Sequence, residues 1–134
     1  MNPDDLARLL AERLQQIVPP GFHVVAANGM LWYSSDEDRF PGQDNGYRVG
    51  RSGTSIRNNF SLHGATLEDH IIGVGRQALD DLQDYVDEAS HDPWPGRVTP
   101  PEARAEIRES RLHLWFADSG NVVAECEPIQ LDLL

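Results

Sequence analysis

Five histidines, one cysteine and eleven cations, all of them arginine, are the residues through which this chain could do chemistry. The histidines are His23, His63, His70, His91 and His113. No two stand four apart on a helical stretch with a carboxylate placed to assist, the spacing that a helix-borne zinc site requires. His70 adjoins Asp69, and adjacent side chains on a helix point in different directions. The histidines read as solvent-facing or singly satisfied groups, and no metal centre is expected. Cys126 falls in phase with Val122 and Ala124 on an alternating stretch. That places it inward, where cysteine acts as a small hydrophobe and not as a thiolate nucleophile.

Two loop segments resemble ligand sites in outline and fail in detail. Gly50-Arg51-Ser52-Gly53-Thr54-Ser55 lacks the lysine and the following apolar helix of a phosphate loop. Arg39, Arg48, Arg51 and Arg57 cluster around it with only Asp44 among them. They form a solvated strand face or, less simply, a small cationic patch for a carboxylate or phosphate. Asp36, Glu37 and Asp38 form an acidic run without the glycine and spaced ligands of a calcium loop. No catalytic residue and no cofactor follow from these groups. Trp32, Tyr33, Trp94 and Trp115 are the remaining candidates, as a surface for a partner.

The elements that must position these residues can be traced along the chain. Asn2-Pro3-Asp4 opens a helix with a capping residue, a first-turn proline and acids at the positive end of the dipole. Leu6, Leu9, Leu10, Arg13, Leu14 and Ile17 give it one face, and Pro19-Pro20-Gly21 stops it. Residues 22–27 and 30–34 flank Asn28-Gly29, whose two residues accept the positive φ of a tight hairpin turn. Residues 35–46 form a loop, and a third extended region runs from about 47 to 60, bent at Gly50 and Gly53. Thr66 caps a second helix from about 67 to 89, with Asp69 at the reciprocal capping position. Its stripe is Leu67, Ile71, Val74, Ala78, Leu82, Tyr85, Val86 and Ala89. Asp80, Asp81, Asp84, Asp87 and Glu88 fall mainly off it.

Residues 90–101 contain four prolines and are irregular, centred on Trp94. Thr99 and Pro100 are expected to cap a short helical turn through Ile107. A final hairpin alternates Leu112, Leu114 and Phe116 with Arg111, His113 and Trp115. It turns at Asp118-Ser119-Gly120-Asn121 and returns through Val122, Ala124 and Cys126. Ile129 and Leu131 finish the chain as a tail. The expected fold is α+β, in the order α-β-β-β-α-β-β. It is one domain over residues 1–134, a five-stranded, mainly antiparallel sheet with its helices packed on one face.

That order and size resemble the type III secretion chaperone-like fold. The resemblance covers most of the chain and rests on topology. Members of the chaperone branch are small acidic dimers that bind an extended segment of a partner, so the resemblance implies a homodimer with a protein client. The chain lacks room for the additional C-terminal helix common in that branch.

Charge narrows the function classes. The chain has 134 residues, 22 acids and a net charge of -11. Residues 1–60 hold 7 acids and 6 arginines, and residues 61–134 hold 15 acids and 5 arginines, so the second part carries -10 of the total. Such a surface repels phosphate backbones, and no nucleic-acid partner is expected. The acidic N-terminus and the lack of a long apolar run argue against a signal peptide or membrane span, so a cytoplasmic location is expected. In a sheet covered on one side only, Trp32 and Trp115 would both stand on the open side. Either the prolyl loop with Trp94 or a partner must cover them. The expected function is a non-enzymatic protein-binding module, chaperone- or adaptor-like, acting as a homodimer. The alternatives are an immunity-type inhibitor of a basic toxin, or a small enzyme with a pocket between loop 35–46 and the prolyl loop, using His91 or His63 as base.

Overall fold

Helix α1 (Pro3–Gln15) starts where Asn2 accepts the Asp5 amide at 2.8 Å through its side chain, with Pro3 in the first turn. The computed structural model describes residues 2–36, 52–59, 66–90, 94–95 and 101–131. Leu6, Ala7, Leu10, Ala11 and Leu14 form the buried face of α1. The chain then enters β1 (Phe22–Ala27), turns at Asn28-Gly29 and returns as β2 (Met30–Ser35). Both turn residues have positive φ, 53° and 75°. β3 (Ser52–Ser55) pairs with the far side of β2. Of the residues 47–60 read as extended, the described ones, 52–59, are a strand only in β3. Ile56 to Asn59 turn into a short helix, α2 (Ile56–Asn59), because the Gly29 carbonyl accepts the Ile56 and Arg57 amides at 2.9 and 3.0 Å and Ile56 is wholly buried. Residues 47–51 and 60 lie outside the described residues, as do His63, His91, Arg39, Arg48 and most of loop 35–46.

α3 (Leu67–Ser90) is the longest element, capped as expected by Thr66 accepting the Asp69 amide at 3.0 Å. Its buried arc is wider than the expected stripe. It takes in Gly73, Gly75, Leu79 and Gln83 as well as Ile71, Val74, Ala78, Leu82, Tyr85 and Val86, while Leu67 is exposed. The width has a cause. One side of α3 packs on β2 and β3, and the other packs on β4 (Glu102–Arg108) and β5 (Arg111–Asp118).

The strands accordingly form two antiparallel sheets, not the single five-stranded sheet expected. The first has the order β1-β2-β3. The second has β4-β5-β6, with β6 (Asn121–Glu125) and β7 (Ile129–Gln130) sharing one edge of β5. Nor are the helices confined to one face of one sheet, since α3 serves both sheets. α1 packs mainly on β1 and also reaches β7. Three local expectations change with this. Residues 102–108 are a strand, not a helical turn, because Ala103, Ala105 and Ile107 alternate with charged residues and face Phe116, Leu114 and Leu112 across β5. Ile129 and Gln130 pair with β5 instead of trailing. Val122 is 56% exposed, not inward, because the register shifts between Phe116 and Ala117 and carries it to the outer face beside Ala117. Cys126 regains the inward phase and is buried.

Two glycines permit close approach. A β-carbon at Gly75 would stand 2.9 Å from Leu114 Cδ2, so α3 lies tightly on the second sheet. One at Gly53 would stand 2.8 Å from the Leu31 carbonyl oxygen and 3.0 Å from Trp32 Cε3. The buried apolar side chains of both sheets and both long helices form one cluster. Leu82, 1% exposed, lies within it on α3. Leu82→Ala is expected to lower unfolding free energy by about 2–5 kcal/mol. Glu88→Ala, on the exposed side of the same helix, should stay within about 0.5 kcal/mol of wild type. Urea titration followed by circular dichroism measures both.

Candidate protein-binding surface

Of the four candidate aromatic residues, Tyr33 and Trp94 point to the core, and Trp32 and Trp115 lie on outer sheet faces. Tyr33 is not on a surface. It is 0% exposed, and its hydroxyl lies 2.5 Å from Thr54 Oγ1 and 3.3 Å from the Ala78 carbonyl. Thr54 in turn donates to Asp81 Oδ2 at 2.7 Å, and Gln77 donates to Asp81 Oδ1 at 2.9 Å. Since Thr54 spends its proton on Asp81, Tyr33 is left as the donor to Thr54 or Ala78. Burial pushes the phenol pKa well above its usual range. The strand alternation that put Trp32 outward necessarily put Tyr33 inward, so the two could not share a surface.

Trp94 is half-buried and points to the core. Its ring meets Phe116 edge-on, with centroids 5.4 Å apart and planes at 72°. Its backbone amide donates to Asp87 Oδ1 on α3 at 2.5 Å. Phe116 belongs to the inner face of β5, so Trp94 packs on the core side of the second sheet, away from the face that carries Trp115.

Trp32 and Trp115 lie on the outer faces of different sheets. On the first, Trp32 stands between Val25 and Gly53 across the strands, and Val25 is 54% exposed. The ring packs over the bare backbone of Gly53, as aromatic residues do beside strand glycines. On the second, Trp115 is half-buried between Arg104 on β4 and Glu125 on β6. Ala117 and Val122 follow on the same face. Sequence reasoning missed Arg104 and Glu125 as neighbours of Trp115. The period of two through residues 102–108 was the signal that would have found Arg104.

The other candidates are placed as follows. His23 Nε2 pairs with Asp36 Oδ1 at 2.8 Å on the surface. His113 is on the outer face of β5 and His70 on α3. Among the described residues no three His, Cys, Asp or Glu side chains converge as a metal site would need. Burial pushes the Cys126 thiol up to about 12, which keeps it protonated. Open clefts are present among the described residues. One of about 420 Å³ is lined by Arg108, Glu109, Arg111 and His113. Another, of about 350 Å³, lies around Asp4, Arg8, Asn28 and Arg57, where Arg57 bridges Asp4 at 2.9 Å. Neither includes an outward tryptophan.

Carboxylates crowd the exposed side of α3. Partial burial, then Asp81 and Asp84, raise the Asp80 pKa against the pull of Arg76. Asp87 is raised too, by burial first and by Asp84, although the Trp94 amide opposes the change. A carboxyl whose proton affinity rises on folding loses stability as pH climbs past the unfolded carboxylate pKa of about 3.9. The loss is complete above the folded value. Asp80→Asn should therefore raise the melting temperature at pH 7 and leave it unchanged near pH 3, as read by thermal unfolding at the two pH values.

No known protein family, curated protein or solved structure matches this chain. No helix among the described residues is long and apolar enough to cross a membrane.

Proposed function

We propose that this chain is a non-enzymatic protein-binding module, chaperone- or adaptor-like, that receives a cationic extended segment of a protein client on the outer face of its second sheet. The observation carrying this reading is the placement of Trp115. It stands half-exposed on an outer sheet face, with charged neighbours on either side and Val122, 56% exposed, on the same face. An aromatic anchor within a polar surround is the usual composition of an interface hot spot.

The charge of the client follows from the field. β4, β5 and β6 all belong to residues 61–134, which hold 15 acids against 5 arginines. A field of that sign accelerates encounter with a basic segment and rejects an acidic one. Lysine and arginine side chains also pack favourably on an indole face. A basic toxin held by an immunity-type inhibitor would meet the same chemistry, so that narrower reading is a special case of this one.

A fluorescently labelled heptapeptide alternating lysine with valine is the probe, read by anisotropy. It should bind, and weaken as salt is raised from about 50 to about 300 mM. Trp115→Ala should cost at least about tenfold in affinity, since hot-spot truncations cost about 2 kcal/mol, while Trp115→Phe should retain most of it. Equal binding of a peptide alternating glutamate with valine, or less than a twofold effect of Trp115→Ala, would refute the proposal.

A further inference from the structure

Every sheet has two edges, and the fold treats its edges differently. The edge of β1 is occupied from within, because Gln15 accepts the Val24 amide at 2.7 Å and donates to the Phe22 carbonyl at 3.0 Å. Its side-chain amide thus stands in for a neighbouring strand. β3 is only four residues long. The β6 edge is broken by the register shift opposite Phe116 and Ala117. Short strands, bulges, covering groups and charged side chains are the usual ways of blunting an edge. Among the described residues β4 has only the charges, and these alternate in sign. It is seven residues long, regular in register, and paired among the described residues with β5 alone.

The outer face of β4 reads Glu102, Arg104, Glu106, Arg108, and all four are exposed. Arg104 bridges Glu102 at 3.1 Å and Arg108 bridges Glu106 at 3.5 Å. The sign of charge therefore alternates along the strand. The two-residue turn at Glu109 and Ser110 makes Arg108 and Arg111 a hydrogen-bonded pair, so residues in phase with Arg108 aim their N–H and C=O at β5. The opposite side of β5 agrees, since Leu114, out of phase with Arg111, accepts from the Cys126 amide. By alternation, Ala103, Ala105 and Ile107 turn their backbone groups towards the edge away from β5.

We infer that β4 pairs with β4 of a second copy of this chain, antiparallel about a two-fold axis at Ala105. In that register Glu102 faces Arg108 of the second copy, and Arg104 faces its Glu106. The same pairs recur on the other side of the axis. About six backbone hydrogen bonds form, from Ala105 to its own counterpart and from Ala103 to Ile107 in both directions. The charged residues occupy the pairs not hydrogen-bonded to one another, where side chains stand closest.

Charge also fixes the register. Changing the paired partner by two residues sets glutamate against glutamate and arginine against arginine, and like charges directly opposite destabilise a sheet. A change of one residue sets the charged outer face against the apolar inner face. A change of four restores unlike pairs but pairs only about half of the strand. Arg108 of the second copy also arrives where Glu102 and Asp80 repel each other. The product is one continuous sheet made from two four-stranded ones. This pairing is independent of the client reading of Trp115, and either can fail without the other.

Sedimentation velocity and light scattering on the full chain test it. Wild type should run at twice 15.0 kDa at micromolar concentration. Arg104→Glu, which sets like charges opposite each other on both sides of the axis, should weaken the dimer at least about tenfold. The exchange Arg104→Glu with Glu106→Arg restores unlike pairs across the axis and should return the dissociation constant to within about threefold of wild type. Ala105→Pro removes an amide facing the open edge and leaves the β4–β5 ladder intact, so it should give folded monomers. A wild-type chain that stays at 15.0 kDa up to about 100 µM would overturn the inference, and so would a dimer indifferent to Arg104→Glu.

Discussion

One helix must satisfy two sheets, and most of the fold follows from that constraint. α3 meets the first sheet through Tyr33, Thr54 and Asp81 and the second through Gly75 and Gln83. The two contacts are made differently. On the first side the helix is pinned by a chain of hydrogen bonds that also gives the Tyr33 hydroxyl its partners. A buried phenol without a partner would cost about 1–3 kcal/mol. On the second side the absence of a side chain at Gly75 lets Leu114 approach, and Gln83 donates to the Pro101 carbonyl at 3.0 Å just before β4 begins. Tyr85 adds an aromatic contact on the first side, edge-on to Phe22 at 6.0 Å.

A shared helix layer leaves each sheet with one face in the core and one turned away from it. The outward tryptophans are a consequence of that geometry and require no defect in packing. Trp32 uses its place to cover Gly53, a local structural role. Trp115 has no glycine opposite it, and its cross-strand neighbours are charged. The two residues therefore differ in what they offer a partner, although the sequence presents them alike. Trp94 belongs to neither face and ties the segment before β4 to Asp87 and Phe116.

Much of this was legible in the sequence, and the misses share a physical origin. The Asn28-Gly29 hairpin, both long helices with their caps and the inward phase of β5 rest on local rules, and those rules held. Residues 102–108 misled because alanine, glutamate and arginine favour helices in isolation, whereas pairing with β5 rewards their period of two. Val122 misled because strict alternation cannot foresee a bulge set by the partner strand. Tyr33 was grouped with Trp32 as an aromatic residue when the strand period already separated them. The division into two sheets was beyond reach, since the stripe of α3 shows that a helix is buried but not by how many sheets.

The electrostatic layout ties these features together. Asp80 and Asp84 sit four apart on α3, and Asp84 and Asp87 three apart, spacings at which like charges repel. A fold selected for stability alone would place arginines there, yet Arg76 is the one arginine in the whole of α3. β4 shows the opposite arrangement, with every glutamate matched to an arginine two residues on. Charge is thus neutralised along the strand edge and left unneutralised along the helix. A neutral, alternating edge suits close backbone pairing, where excess charge would repel. An acidic ridge acts over about a Debye length of 8 Å, and this one lies on α3, across the second sheet from Trp115. The edge and the ridge thus differ in the range over which their charges act, and they lie on different elements, β4 and α3.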